Sequence, residues 1–368
     1  MSRTCCIFNI GAHYRAPIYR LMDKELNCDF YIGDKVSSPI KKMNYKELLG
    51  FKKELKNYNL IGNTYWQKGA IRTFFSDYKN YIITGEPNCL STWLILLLAR
   101  ITSRKTFLWT HGWYGRETRM KKFVKTIFFG FANHVLLYGE YARDLMIKEG
   151  FKPNKLHCIY NSLDYDTQLE VRKSLKETDI FSKKFGNDYP VLCYVGRIQK
   201  AKRLDLLIES MIILKNKHKK PVNLIIVGEE SEDTDIIERV QKNGLSDNVW
   251  FYGPSYDENE LGTIFFNASL CVSPGNVGLT AIHALTYGCP VITHNNFSKQ
   301  MPEFEVINPG VTGDFFEESN VEDLAMKINS WLNLHPKNDD IIRNECYIVI
   351  DEKYNPHYQI ELLKTLLA

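Results

Sequence analysis

Short apolar runs alternate with helical patterns through both halves of the chain, and this alternation constrains the fold more than any other feature. In the first half we predict strands at TCCIFNI, CDFYIG, YIITG, KTFLWTH, HVLLYG and LHCIYN. In the second half we predict strands at VLCYVG, NLIIVG, VWFYG, LCVSP and PVITH. Strands that alternate with helices are typical of βαβ units and parallel sheets. The sequence therefore predicts an α/β fold with two Rossmann-like domains in tandem.

The length supports a division into two domains. The chain has 368 residues, which is more than one hydrophobic core usually organises. A charged, weakly periodic stretch follows the first series of strands, and we predict an N-terminal domain over residues 1–170 and a C-terminal domain over residues 171–349. The last helix, within residues 350–368, has no strand of its own to cover. We expect it to pack back on the first domain.

Composition excludes several classes of protein. The longest apolar run, Leu94 to Ala99, is well short of the roughly 20 residues that a membrane span needs. The N-terminus MSRTCCIFNI has no signal-peptide layout, so we expect a cytoplasmic protein. The 9 cysteines include no CxxC pair, and we expect neither disulfides nor a metal site.

Charge divides the chain into two unlike halves. Residues 1–170 carry 26 Lys and Arg against 15 Asp and Glu, while residues 171–368 carry 21 against 28. A basic half can bind nucleic acid, an anionic membrane surface or a phosphorylated substrate. Nucleic acid is the weakest of these, because the sequence shows neither aromatic stacking platforms nor a nucleic-acid-binding motif.

A basic cluster follows the strand VLCYVG directly. Four cationic residues lie between positions 197 and 203, before the next helix begins. The carboxyl ends of strands in doubly wound domains are where ligands bind, and two such domains would share a cleft there. Arg supplies a planar fork and Lys a movable point charge, a pair suited to two linked phosphates. The alternative is an ordinary solvated cluster of loop charges.

The segment PGNVGLT, residues 274–280, forms a glycine-bearing turn between the strand LCVSP and a helix. Glycine lets the backbone approach a ligand closely, and the N-terminus of a helix offers free N–H groups to an anion. Glycine turns before helices also occur merely for tight packing. With Arg197 and Lys202 on a neighbouring strand end, a diphosphate is the better interpretation.

These motifs together resemble a known family. In the second half they are Gly196-Arg197 with Lys202, LIIVGEE, VWFYGPSYDENELGTIFFNASLCVSPG, GLTAIHALTYGCPVITH and PEFEVINPGVTGDFF; in the first half they are IGAHYRAPIYRLM, WTHG and IYNSLD. Their order and spacing resemble glycosyltransferase family 4, the retaining nucleotide-sugar transferases. The resemblance spans nearly the whole chain. It implies the GT-B fold, in which two Rossmann-like domains face a central cleft.

The resemblance also implies ligands and roles. A UDP- or GDP-linked sugar would be held by the C-terminal domain as co-substrate, an acceptor by the N-terminal domain, and no metal or other cofactor would be required. The matching positions predict three catalytic residues, His111, Arg197 and Lys202. The donor-binding residues would be Gly11, Arg197, Lys202, Tyr252, Gly275, Asn276, Val277, Gly278, Leu279, Thr280 and His283. The acceptor-binding residues would be His13, Tyr14, Arg15 and Glu86.

Several of these residues have plainer alternatives. His111 could cap a loop after its strand, although a place in the cleft favours contact with the transferred sugar. Tyr14 and Arg15 could pack against the first helix, but Pro17 is suited to starting that helix and would leave them in the loop. Glu86 could pair with a cation or bind an acceptor hydroxyl.

The chain departs from the family pattern at two positions. The paired glutamates of that pattern fall on Gly275 and His283 in this sequence. A neutral imidazole at 283 can partly replace the second glutamate in contacting a ribose, and the alternative is that His283 packs in the core. Asn276 could replace the first glutamate as a polar contact, or could simply tolerate an unusual turn conformation.

The predicted function is a retaining transfer of sugar to a glycan or lipid-linked acceptor, in surface polysaccharide synthesis. The alternatives are a catalytically silent sugar-nucleotide-binding subunit and a GT-B-fold sugar-nucleotide epimerase. The segment RETRMKKFVKTIFFGF, residues 116–131, has five cations among large apolar residues. It could dock on the inner face of the cell membrane, or it could be an ordinary helix with a solvated basic face.

Overall fold

The computed structural model describes residues 3–36, 40–336 and 340–368. The chain divides into two compact units, the first comprising Met1–Asp164 with Asn355–Ala368 and the second comprising Tyr165–Tyr354. The division thus falls six residues before the boundary that we predicted from sequence. The C-terminal segment belongs to the first unit.

The first unit is built on an eight-stranded sheet with the order β4-β3-β2-β1-β5-β6-β7-β8. Its strands are β1 Thr4–Phe8, β2 Cys28–Gly33, β3 Phe51–Asn59, β4 Tyr65–Lys68, β5 Asn80–Thr84, β6 Lys105–Thr110, β7 His134–Leu137 and β8 Leu156–Cys158. Only the β3–β4 pair is antiparallel; the other pairs are parallel. The direction of winding reverses between β1 and β5, which makes this the topological switch point of the sheet.

Four helices of the first unit follow these strands, and their amphipathic faces cover the sheet. They are α1 Ala16–Glu25, α2 Leu90–Ile101, α3 Arg119–Phe131 and α4 Glu140–Lys148. Pro17 occupies the first turn of α1, where its missing N–H costs nothing. The side chains of Ile18, Tyr19 and Met22 are buried against Phe8 and Phe30 of the sheet.

The second unit has a six-stranded sheet with the order β11-β10-β9-β12-β13-β14. Its strands are β9 Val191–Val195, β10 Asn223–Val227, β11 Val249–Gly253, β12 Leu270–Ser273, β13 Val291–His294 and β14 Gly313–Phe316. All pairs are parallel, and the central strands are almost wholly buried, as expected of a sheet with helices on both faces. Here the switch point lies between β9 and β12.

The helices of the second unit alternate with its strands after two helices that precede the sheet. They are α5 Tyr165–Ser174, α6 Ile180–Phe185, α7 Leu204–Asn216, α8 Ile236–Lys242, α9 Glu258–Asn267, α10 Leu279–Thr286, α11 Val321–Leu334 and α12 Asp340–Lys353. The last helix of the chain, α13 Pro356–Leu367, lies in the first unit. Its Ile360, Leu363 and Leu367 join the same buried cluster as α1.

The strands β3, β4 and β14 had not been predicted from sequence. The order of elements otherwise matches the predicted alternation in both units. No helix in the three described ranges combines the length and apolarity needed to cross a membrane.

Candidate active site

The basic cluster and the glycine turn meet at the switch point of the second unit. Gly196 and Arg197 follow β9, and the turn at 274–278 follows β12, the strand that pairs with β9. The hydroxyl of Thr280, in the first turn of α10, donates to the carbonyl of Val195 at 2.9 Å. This bond fixes the N-terminus of α10 beside the end of β9.

Lys202 binds the glycine turn directly. Its Nζ donates to the backbone oxygen of Asn276 at 2.7 Å and to Oδ1 of the same residue at 2.8 Å. Burial lowers the pKa of Lys202 to about 8; the charge of buried Glu303 opposes this shift and that of Arg197 adds to it. Arg197 itself is exposed. The two predicted cations therefore share one electrostatic environment at the strand ends.

Gly275 lies where the chain leaves no room for a side chain. Its N–H donates to the carbonyl of Lys202 at 2.9 Å. A Cβ at this position would lie 2.2 Å from the carbonyl oxygen of Ala201 and 2.7 Å from Cα of Lys202. A glutamate at 275 would thus require the backbone to move, and the polar side chain next in sequence, Asn276, contacts Lys202 instead.

Buried polar side chains stabilise the backbone of the glycine turn through hydrogen bonds. The N–H of Val277 donates to Oε1 of Gln300 at 2.8 Å, and Nε2 of Gln300 donates to the hydroxyl of Thr293 at 2.9 Å. That hydroxyl donates in turn to the carbonyls of Ser273 and Gly275. Gly278 is the N-cap of α10 and Leu279 is its first residue. Gln300 had not been predicted as part of the site, because only folding brings its side chain to Val277.

His283 lies in the second turn of α10 and has a carboxylate partner. Its Nε2 is 2.9 Å from Oε2 of Glu258 at the start of α9, and the hydroxyl of Tyr287 donates to the same oxygen at 2.6 Å. Burial opposes ionisation of Glu258, but the hydrogen bonds, led by that of His283, lower its pKa. The ring of Phe265 lies 5.2 Å from the imidazole. Glu258 had not been predicted from sequence, because only the folded structure brings the start of α9 beside α10.

Tyr252 is not brought into this cluster. It lies on β11, the edge strand, with β10 and β9 between it and β12. Its ring packs edge-on against Trp250, with centroids 5.1 Å apart.

His111 follows β6 in the first unit and is a neutral imidazole at physiological pH. Burial lowers its pKa to about 4, and the positive charges of Arg15 and Lys125 act in the same direction. Its Nδ1 is buried and has no hydrogen-bond partner within the described ranges. The ring lies 4.7 Å from that of Tyr138.

Aromatic rings surround the guanidinium of Arg15. Its guanidinium donates to the hydroxyl of Tyr138 and lies 5.3 Å from the ring of Trp109 and 5.7 Å from that of Tyr14. No Asp or Glu in the described part of the chain forms an ion pair with it. The loop predicted for Tyr14 and Arg15 is instead a 3-10 turn, His13–Arg15, that runs directly into α1.

The remaining predicted residues of this loop have structural contacts. The ring of Tyr45 packs so close to Gly11 that a Cβ at position 11 would lie 2.6 Å from Cε1 of the ring. The N–H of Gly11 donates to the Tyr45 hydroxyl at 3.3 Å. His13 is exposed, and its N–H donates to the carbonyl of Lys41 at 2.9 Å.

Glu86 lies at the switch point of the first unit. Nδ2 of Asn9 donates to its Oε1 at 2.8 Å, and the hydroxyl of Tyr65 donates to its Oε2 at 2.7 Å. Burial raises the pKa of Glu86, while both hydrogen bonds oppose that shift. The cation partner considered from sequence does not occur among the described residues. Nor do these residues include a group of three or more His, Cys, Asp or Glu arranged to hold a metal ion.

Residues 176–345 match the family model described as glycosyl transferases group 1. This range lies within the second unit and contains the Lys202–Asn276 contact. Mannosylfructose-phosphate synthase of Agrobacterium fabrum is 25% identical over 290 residues, which cover 75% of this chain. The same match covers 61% of the synthase, so the chain spans less than two thirds of that relative.

Solved structures match nearly the whole chain. Anabaena HepE in complex with UDP has a TM-score of 0.72 at 14% identity, with 99% of both chains covered. HepE in complex with UDP-glucose has a TM-score of 0.66 at 14% identity, again with 99% of each chain covered. The lipopolysaccharide outer core galactosyltransferase WaaB has a TM-score of 0.71 at 13% identity and 99% coverage of both chains. The predicted GT-B fold class is confirmed.

Proposed function

We propose that this chain is a glycosyltransferase, as the sequence resemblance predicted and the match of residues 176–345 to the group 1 model supports, and that it moves a sugar from a nucleoside-diphosphate sugar to a glycan or lipid-linked acceptor. We further propose that the transfer retains the anomeric configuration, needs no metal, and serves surface polysaccharide synthesis. The observation that carries this proposal is the contact of Lys202 with the glycine turn, beside Arg197, at the switch point of the second unit.

In the proposed reaction the bond between the sugar C1 and the diphosphate oxygen breaks, and the acceptor oxygen forms a new bond to C1 on the same face. The acceptor hydroxyl gives its proton to the departing phosphate, and the nucleoside diphosphate leaves. Arg197 and Lys202 stabilise the negative charge that builds on the leaving group. The N–H groups at the start of α10 add to this stabilisation.

In this proposal the first unit contributes two groups, the neutral imidazole of His111 and the guanidinium of Arg15. An uncharged imidazole can offer one donor and one acceptor to sugar hydroxyls, and His111 is neutral because burial disfavours its charged form. Arg15 has no carboxylate partner in the described ranges, so it can bind an anionic group of a substrate.

The named relatives support particular choices of substrate. HepE binds UDP and UDP-glucose in its crystal structures, which favours UDP over GDP here. WaaB is a lipopolysaccharide outer core galactosyltransferase, which favours a glycan acceptor of the cell surface. A silent binding subunit and an epimerase remain the alternatives to transfer.

A direct test titrates UDP- and GDP-linked sugars against the protein and follows its melting temperature, because a ligand that binds only the native state raises stability. Nucleotide release is then measured with and without a lipid-linked glycan acceptor. Transfer predicts release that depends on the acceptor. Binding without release supports the silent subunit, and conversion of the donor sugar without release supports the epimerase.

We also propose that the first unit contacts the inner face of an anionic membrane. α3 exposes Met120, Phe123, Val124 and Ile127, which follow one another at helical spacing, and neighbouring α2 exposes Leu90, Leu94, Leu97 and Ile101. Among the cations of residues 116–131, Arg116, Arg119 and Lys121 are exposed. Lys122 and Lys125 form ion pairs with Glu149 and Glu117. Basic residues near an anionic bilayer contribute roughly 1 kcal/mol each, so the charge of this surface complements anionic lipid.

A further inference from the structure

The loop between β6 and α3 of the first unit begins at His111 and contains one end of a buried ion pair. Glu117 lies in this loop and Lys125 lies on α3, and their side chains are only 4% and 16% exposed. Nζ of Lys125 donates to Oε1 of Glu117 at 2.7 Å. Neither residue has a role in the proposed reaction, so what the pair does there is open.

The two side chains hold the backbone of this loop by hydrogen bonds. Oε1 of Glu117 accepts from the N–H of Tyr114 at 2.8 Å, and its Oε2 accepts from the N–H of Gly115 at 3.0 Å. Nζ of Lys125 donates to the carbonyl of Gly112 at 2.7 Å. Three of the four residues that follow the histidine are therefore bound to one ion pair.

The first residue of the loop after His111 has a backbone conformation that requires glycine. Gly112 has a φ of 65°, which lies in the left-handed region that glycine adopts readily. A Cβ at this position would lie 2.5 Å from Cδ2 of Leu137, and the N–H of Gly112 donates to the hydroxyl of Thr110 at 3.2 Å. The direction of the imidazole at 111 thus depends on where Lys125 holds the carbonyl of Gly112.

Stability alone does not account for a buried ion pair. Removing two charges from water is costly, and replacement of such a pair by neutral side chains of similar volume is often tolerated. Burial raises the pKa of Glu117, but the hydrogen bonds from Lys125 and from the backbone outweigh burial and lower this pKa overall. The pair therefore stays charged and gives the loop one defined conformation. Such precision matters beside a reacting group, where a displacement of about 1 Å can lower a rate about 100-fold.

We infer that Glu117 and Lys125 are positioning residues, which hold the loop after β6 so that the imidazole of His111 meets the transferred sugar. The inference rests on the proposed function for the role of His111. The same pair holds Tyr114, whose ring lies 5.9 Å from the imidazole and is inclined to it by 23°. After burial and the charge of Arg15, the positive charge of Lys125 is a further cause of the lowered pKa of His111. Lys125 thus acts on both the orientation and the charge of the imidazole.

The double variant Glu117→Gln/Lys125→Met tests this inference, because it removes both charges and nearly keeps the volume of both side chains. Removal of one charge alone would leave the other buried and unpaired, which destabilises a fold strongly. We expect the double variant to fold, to bind UDP as the wild type does and to keep its KM for the donor. Its kcat for acceptor-dependent nucleotide release should fall roughly tenfold or more. Lys125→Arg keeps the positive charge and should retain most of the wild-type kcat.

A double-mutant cycle with His111→Gln shows whether the pair acts through the histidine. In the His111→Gln background, removal of the pair should lower kcat no further, because residues that act as a unit are not additive. The matched control is Glu25→Gln/Lys364→Met, which removes an ion pair between α1 and α13 of the same unit. We expect this control to have the wild-type kcat.

NMR of the imidazole of His111, identified as the signal that His111→Gln lacks, tests the inference without any transfer. We expect the pKa of His111 to rise in Glu117→Gln/Lys125→Met and to remain low in Lys125→Arg. Wild-type kcat in the double variant, a further fall of kcat in the His111→Gln background, or an unchanged pKa of His111 would overturn the inference while the proposed function stands. A wild type that transfers no sugar, with the pKa of His111 raised in the double variant, refutes the proposed function, and the positioning of His111 by the pair stands.

Discussion

Nε2 of His283 and Oε2 of Glu258 lie 2.9 Å apart, so that α9 brings a carboxylate to the second turn of α10. The two side chains are only 14% and 25% exposed, and Tyr287 donates to the same carboxylate oxygen. The family resemblance places a glutamate at position 283, where this chain has a histidine. The pair therefore retains a carboxylate in that neighbourhood, although it comes from another helix.

This pair predicts that His283→Glu destabilises the protein. The new carboxylate would face that of Glu258, whose pKa is already lowered by its hydrogen bonds, and like charges at this distance repel. The lost hydrogen bond to a charged group and the repulsion should together lower the free energy of unfolding by about 1–3 kcal/mol. Urea unfolding at pH 7 measures the change.

The double variant Glu258→Gln/His283→Glu supplies the control, because it returns a single carboxylate to the site. It should recover most of the lost stability and bind UDP more tightly than His283→Ala does. If His283→Glu unfolds at the wild-type urea concentration, the two residues are not coupled. If His283→Ala binds UDP as the wild type does, His283 has no role in binding the nucleotide.

Nucleotide affinity should fall as the pH rises through the pKa of Lys202. The unliganded protein has this pKa lowered to about 8 by burial, so the cation that faces the diphosphate is present below pH 8 and is lost above it. One such group predicts UDP binding about fourfold weaker at pH 8.5 than at pH 7. Isothermal titration at the two pH values measures this ratio.

Lys202→Arg separates this effect from other titrations, since arginine keeps its charge throughout that range. Its affinity, whatever its absolute value, should stay nearly constant between pH 7 and pH 8.5. The same decline in the wild type and in Lys202→Arg would assign the pH dependence to another group.

His111 should make the protein less stable in mild acid. Its pKa is lowered to about 4 in the folded chain by burial and is about 6.5 in an unfolded chain. Between about pH 4 and pH 6.5 the imidazole of His111 is protonated in the unfolded state but not in the folded state. The free energy of unfolding therefore falls as the pH drops below about 6.5. The loss that is due to His111 should reach about 1–2 kcal/mol at pH 5.

His111→Gln tests this assignment, because glutamine offers a donor and an acceptor but does not titrate. The difference in unfolding free energy between pH 7 and pH 5 should be smaller in this variant than in the wild type. An unchanged difference would mean that His111 is not neutral in the folded protein. Nucleotide release with acceptor should also decrease in the variant at pH 7 if the imidazole contacts the transferred sugar.

Membrane contact should depend on the basic and apolar surface of α3. Arg119→Glu/Lys121→Glu reverses two exposed charges on this helix, and we expect at least tenfold weaker flotation with vesicles that contain anionic phosphatidylglycerol. Lys183→Glu/Lys184→Glu reverses two adjacent exposed lysines of α6 in the second unit and should have little effect. Wild-type protein that fails to float at low salt would contradict the proposal.

The sequence predicted most of the strands because they are buried on both faces and so are continuous apolar runs. It failed for β3, FKKELKNYN, where most side chains are exposed and no apolar run marks the strand. It failed also for β4, whose antiparallel pairing with β3 does not belong to the βαβ pattern. The strand β14 is short and begins at Gly313, which is a weak strand former.

The candidate site was predictable where its residues are adjacent to strand ends and unpredictable where it depends on distant partners. Arg197, Lys202 and the turn at 274–280 each follow a recognisable strand. In contrast, three contacts of the site exist only because of the tertiary packing of the second unit. They are Glu258 with His283, Gln300 with Val277, and Glu303 with Lys202. The crowding at Gly275, which comes from the backbone of Ala201 and Lys202, is likewise invisible in the sequence.

The most direct test of the account is the affinity for UDP and GDP of four proteins: the wild type, Arg197→Ala, Lys202→Ala and Lys200→Ala. Lys200 belongs to the same 3-10 turn as Lys202 but is exposed, so it is a matched control. We predict that the wild type and Lys200→Ala bind one of the two nucleotides equally well. Arg197→Ala and Lys202→Ala should each lose about 1.5–3 kcal/mol of binding free energy and remain folded, which circular dichroism of the variants checks. Wild-type affinity in both of these variants, or no binding of either nucleotide to the wild type, would contradict the account.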